Sequence, residues 1–77
     1  MLYFDLLNAP DKELERLITN ICTEFGTVVN VRVERGHIRS RAMVQMSNPV
    51  ETIHLCAEFG ELMNEQSVTI ELRQRTE

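Results

Sequence analysis

TVVNVRVERGHIRSRAMVQM, residues 27–46, decides the fold. Its first part is rich in valine and alternates after Val29, with Val31 and Val33 on one side and Asn30, Arg32 and Glu34 on the other. Such alternation marks a strand with one face buried. The last eight residues alternate too. Ser40, Ala42, Val44 and Met46 make a small apolar face, while Arg39, Arg41, Met43 and Gln45 make the opposite one. Between them RGHIRS supplies a glycine turn, so residues 27–34 and 39–46 read as a hairpin. One face of it is an apolar floor; the other offers arginines and a methionine to solvent.

On the N-terminal side, residues 11–25 carry Leu14, Leu17, Ile18, Ile21, Cys22 and Phe25 at helical spacing. That is one stripe of an amphipathic helix, entered at Pro10–Asp11 and stopped by Gly26. Before it, LYFDLL (residues 2–7) is a short apolar run closed by the turn residues Asn8–Asp11. It reads as a first strand, with Leu2, Phe4 and Leu6 inward and Tyr3 and Asp5 outward. After the hairpin, Asn48 caps a second helix running to about Met63, with Pro49 at its first position. Thr52, Leu55, Cys56, Phe59 and Met63 share its inner face. The turn 64–67 then leads to VTIEL, with Val68, Ile70 and Leu72 inward and Thr69, Glu71 and Arg73 outward.

The order β-α-β-β-α-β predicts an α+β, ferredoxin-like sandwich: a four-stranded antiparallel sheet with both helices on one face. The right-handed crossover rule predicts that the first and third strands lie side by side in its middle. At 77 residues the chain makes one domain, residues 1–77. With 43% hydrophobic and 26% charged residues it is ordinary globular composition, not disorder. No apolar run approaches the length of a membrane span, and MLYFDLLN lacks the basic start and cleavage site of a signal peptide, so a cytoplasmic protein is expected. Cys22 and Cys56, 34 positions apart, do not have metal spacing and read as two reduced core hydrophobes.

Net charge is −4, but the charges segregate. The first helix holds Asp11, Glu13, Glu15 and Glu24 against Lys12 and Arg16; the second helix and its exit hold Glu51, Glu58, Glu61 and Glu65 with no base. Six of the eight bases, all arginines, fall on or around the last three strands: Arg32, Arg35, Arg39, Arg41, Arg73 and Arg75. Cross-strand pairing with Glu34 or Glu71 accounts for any one of them. As a set they suggest more, because arginine stacks on planar groups and grips phosphate with two parallel bonds, which lysine does not.

These segments resemble the RNA recognition motif, and the likeness covers nearly the whole chain. EFGTVVNVRV (24–33) follows that family's exit from the first helix into the second strand. AMVQMSNPVET (42–52) and MNEQSVTIEL (63–72) follow its later junctions, with Glu65 where glycine is usual. LYFDLL is similar to its first-strand motif at Leu2, Tyr3 and Leu7, with Leu6 in place of a common asparagine. In the third-strand motif Arg39, Ala42 and Val44 match. Ser40 replaces a glycine, Arg41 and Met43 stand where two base-stacking aromatics belong, and Met46 replaces a buried third.

The resemblance implies single-stranded RNA, or single-stranded DNA, bound weakly and with low specificity across the open sheet. Tyr3 would stack on a base, Arg39 and Arg41 would hold phosphates or stack, Met43 would pack beneath a base, and Arg32, Arg73 and Arg75 would steer. Losing two aromatic platforms costs on the order of 2–6 kcal/mol if nothing compensates. The alternative is a protein-interaction module that keeps the fold and has lost RNA binding. His37 and His54 have no nucleophile or carboxylate at motif spacing, and no phosphate-cradling glycine loop is present, so no enzyme activity, cofactor or metal is expected. A monomer is expected.

Overall fold

The computed structural model describes residues 1–76. It is an α+β protein with two helices and a five-stranded mixed sheet: β1 (Leu2–Phe4), α1 (Asp11–Cys22), β2 (Val28–Arg35), β3 (Ser40–Met46), α2 (Pro49–Phe59), β4 (Glu61–Asn64) and β5 (Ser67–Gln74).

The hairpin forms as its alternation predicts. β2 and β3 are antiparallel, with Val31 opposite Val44, Arg32 opposite Met43, Val33 opposite Ala42 and Glu34 opposite Arg41; a bulge at Val29 takes up one extra residue. The turn glycine, Gly36, is required by a close approach, not by a left-handed backbone. A side chain there would meet the Arg39 carbonyl at 2.4 Å. Ala42, Val44 and Met46 are wholly buried.

The strand order is β1-β5-β3-β2, with β4 also on β5, which overturns the expected neighbourhood of the first and third strands. β5 lies between them, antiparallel to β3 and parallel to β1. The four-stranded antiparallel expectation gives way with it. The physical reason is length. Only three residues of the LYFDLL run pair, because Asp5 leaves the strand to accept hydrogen bonds from the side chains of Asn8 (2.9 Å) and Gln74 (3.2 Å). A three-residue strand cannot satisfy the seven residues of β3; the eight of β5 can, and Val68, Ile70 and Leu72 bring a continuous buried face.

Both helices cover that buried face. Leu14, Ile18 and Cys22 of α1 and Leu55 of α2 pack there with no exposed surface, and burial pushes the Cys22 thiol up to about 11. Cys56 is half-buried, and both thiols are free. The cap on α2 is as expected: Asn48 Oδ1 accepts the Glu51 amide at 3.0 Å. Its end is not. The helix stops at Phe59, and residues 61–63, expected as its last turn, join Asn64 in β4 instead. Gly60 sits so close to β5 that a Cβ would lie 2.3 Å from the Thr69 carbonyl oxygen. Met63 is consequently half-exposed on β4 and not part of the core stripe. The first helix also stops short of expectation, at Cys22, but Phe25 still packs edge-on against Phe59 with ring centres 5.5 Å apart.

Candidate nucleic-acid interface

With both helices behind it, the other side of the sheet is open, and the strand registers place its side chains in rows about 7 Å apart. At one end Tyr3 pairs with Arg73, and one step beyond the Ser40–Leu72 pair lies Arg39. The next row is Glu34, Arg41 and Glu71; the one after is Arg32, Met43 and Thr69; the last is Asn30, Gln45 and Ser67. Of the residues singled out in the sequence, Tyr3, Arg32, Arg39, Arg41, Met43 and Arg73 therefore share one face. Arg75 lies just past β5, its amide bonded to the Phe4 carbonyl at 2.8 Å.

The rows are not electrostatically alike. Arg41 donates to Glu34 Oε2 at 3.0 and 3.1 Å, and Arg73 donates to Glu71 Oε2 at 2.7 Å. The Arg73 hydrogen bond, with smaller help from the field of Arg39, holds the Glu71 carboxyl below the usual carboxylate range. So the cross-strand pairing considered for single arginines is realised at Arg41, and a pairing along the strand is realised at Arg73. Arg32 and Arg39 make no ion pair among the described residues. Four arginines against Glu34, Glu71 and Glu61, which β4 sets beside Thr69, leave this face with a slight positive excess while the molecule is negative.

Arg35 is absent from the face. It follows Val31 and Val33 to the helix side, where its guanidinium donates to Asp11 Oδ1 (2.6 Å) and to the carbonyls of Leu6 and Ala9. It ties the loop after β1 to the hairpin and to the start of α1.

Two open troughs mark the surface. One, of about 750 Å³, crosses from Glu34 and Arg41 past Thr69 and Glu71 to Phe59 and Glu61. The other, of about 510 Å³, lies beside the first row and is lined by Leu7, Ile38, Arg39 and Arg73. Leu7, named in the sequence only as a match to the first-strand motif, and Ile38, not singled out at all, are 84% and 94% exposed. The readable signal for Ile38 was a large aliphatic residue inside the four-residue hairpin loop 36–39, where packing gives it no reason to be.

Tyr3 is 54% exposed beside these groups. The end row thus combines an aromatic plane, an ion-paired guanidinium, a free guanidinium and two exposed aliphatic side chains. That combination can stack on a flat ring, pair with an anion and shield the contact from water. His37 and His54 are both exposed, and no cluster of metal-binding side chains occurs among the described residues. No helix among those residues is long and apolar enough to cross a membrane. No family model, curated protein or solved structure matches the chain.

Proposed function

We propose that the open sheet face binds single-stranded nucleic acid, RNA in the first place, weakly and with little sequence preference. The observation that carries this is the end row: Tyr3, Arg73 and Arg39 side by side on an uncovered face, with Leu7 and Ile38 at its margin. Tyr3 stacks on a base, Arg39 holds the adjoining phosphate, and Arg32 engages the strand about two rows further on. Arg41 and Arg73 contribute less than their number suggests, because each would have to leave a glutamate to reach a phosphate. Met43 offers a polarisable surface between Arg32 and Thr69, beneath a second base.

The likeness to the RNA recognition motif supports this reading through the order of the first elements and the uncovered face opposite two helices. The strand order departs from the ferredoxin-like one, and its effect is local. Tyr3 stands at the sheet edge next to Arg73, not against the third strand, so the stacking site is at one end of the face.

Tyr3 is the sole tyrosine and the chain has no tryptophan, so its fluorescence reports on the site directly. Titration with a short mixed-sequence RNA should quench it in a saturable way, with a log–log salt slope near −2 for about three phosphate contacts. Tyr3→Ala should weaken binding, followed by chemical shifts, by about 1–3 kcal/mol with the fold intact. A matching DNA distinguishes a sugar-blind site. If RNA at about 1 mM leaves both the fluorescence and the sheet resonances unchanged, the proposal fails.

A further inference from the structure

The two edges of the sheet are built differently. One is divided between β1, of three residues, and β4, of four, which meet opposite ends of β5. The other is β2, eight residues long and paired on one side only. Proteins usually blunt such an edge with bulges, prolines or shortness. Here the bulge at Val29 disturbs only the beginning, and Val31–Arg35 runs in regular register.

The phase of the ladder shows which groups are free. Gly36 donates its amide to the Arg39 carbonyl at 2.9 Å. Residues that exchange hydrogen bonds alternate along an antiparallel pair, so Glu34 and Arg32 bond to β3. Val31, Val33 and Arg35 turn their amides and carbonyls outward, and among the described residues no turn, loop or cap bond takes those groups up.

We propose that this edge pairs with β2 of a second copy of the chain, antiparallel, about a two-fold axis through Val33. Val33 then faces Val33 of the second copy, and Val31 faces its Arg35, giving about six main-chain hydrogen bonds. Arg32 faces Glu34 of the second copy, twice by symmetry. These are the positions between hydrogen-bonded pairs, where facing side chains come closest, with Cα atoms about 4.5 Å apart.

The charges select both the partner and the register. Arg32 has no ion pair among the described residues, and Arg41 occupies only Oε2 of Glu34, leaving Oε1 unengaged there. An axis through Val31 would set Arg32 against Asn30 and draw the Val29 bulge into the ladder. An axis through Arg35 would set Glu34 against Gly36. Only the Val33 axis satisfies both charges, and it does so with the chain's own sequence, as an isologous contact must. The pairing joins two sheets into one; its argument does not rest on the nucleic-acid reading, although it engages Arg32, which that reading places on the strand. It replaces the expected monomer with a weak dimer. The contact is small beside a standard interface of about 800 Å² per partner, so a dissociation constant on the order of 0.1 mM is expected.

Sedimentation velocity of the full chain from about 10 μM to about 1 mM, at low and high salt, tests this. Reversible dimerisation that weakens with salt is expected. Arg32→Glu and Glu34→Arg, each alone, should weaken self-association at least about tenfold, because each sets like charges opposite one another. Mixed in equal amounts, the two variants carry complementary edges and should associate at least as well as the parent. Amide exchange at Val33 and Arg35 should slow as concentration rises. A chain monomeric at about 1 mM overturns the proposal. So do an Arg32→Glu variant that dimerises like the parent, a mixture no better than its components, or a dimer that leaves the Val33 amide unprotected. If Glu34→Arg does not fold, Arg32→Glu and the exchange measurement decide alone, since Arg32 has no ion-pair partner to lose among the described residues.

Discussion

Arg35 shows how far one residue's role turns on where a strand ends. Grouped with five other arginines by composition, it reads as part of a basic surface. Once β2 extends through residue 35, alternation carries it to the side of Val31 and Val33, and there it holds Asp11 and two loop carbonyls. Its side chain is one-third exposed, so these bonds are partly shielded from water. Arg35→Met should lower stability by about 2 kcal/mol, measured by urea unfolding, with faster amide exchange in residues 6–9. Arg35→Lys should recover only part of this, because a single ammonium cannot match the fork that reaches three acceptors. Arg41 illustrates the opposite case. Its pairing with Glu34 was legible from the hairpin register alone, since the two residues lie directly opposite each other.

Among the elements, β4 owes its existence to Gly60. Helical spacing of Phe59 and Met63 favours a continued helix, but the chain must pass against the main chain of β5, and only a residue without a side chain fits. The backbone at Gly60 is extended, so the requirement is space, not conformation. Gly60→Ala places a Cβ 2.3 Å from the Thr69 oxygen and 2.9 Å from Val68 Cγ1. It should cost about 1–3 kcal/mol, seen as a melting temperature lower by several degrees, and loosen the pairing of Leu62 with Val68. β1 was legible as a strand but not in its extent, because Asp5 and Asn8 close a turn that apolar Leu6 and Leu7 conceal.

For the molecule as a whole, two hydrogen-bonded carboxyls set the response to acid. Asp5 is held below its ordinary range by side-chain hydrogen bonds from Asn8 and then Gln74, and Glu71 by the one from Arg73. A carboxyl whose folded pKa is depressed stabilises the fold above its unfolded pKa and loses that contribution as pH falls through the folded value. Thermal stability should therefore be flat at neutral pH and decline from about pH 4 downward. Asp5→Asn should show a smaller decline over the same window, measured by calorimetry in steps of pH. Asp5 is exposed and the Glu71 side chain is about one-third exposed, so the effect should shrink in high salt.

The amino-acid sequence by itself determined the hairpin, the two helices, the inward set on β5 and the gathering of arginines on one face. These depend on local periodicity, glycine and proline punctuation, and a side-chain parity that a register cannot alter without exposing the core. Only the tertiary structure decided which strand is central, where the second helix ends and which arginines are free. Each of those is a competition between segments distant in the chain. β5 displaced β1 from the middle because it is longer, Thr69 excluded a helix at Gly60, and two glutamates took Arg41 and Arg73 while leaving Arg32 and Arg39 to solvent. Local patterning cannot rank such competitors, because their energies arise only when the segments meet.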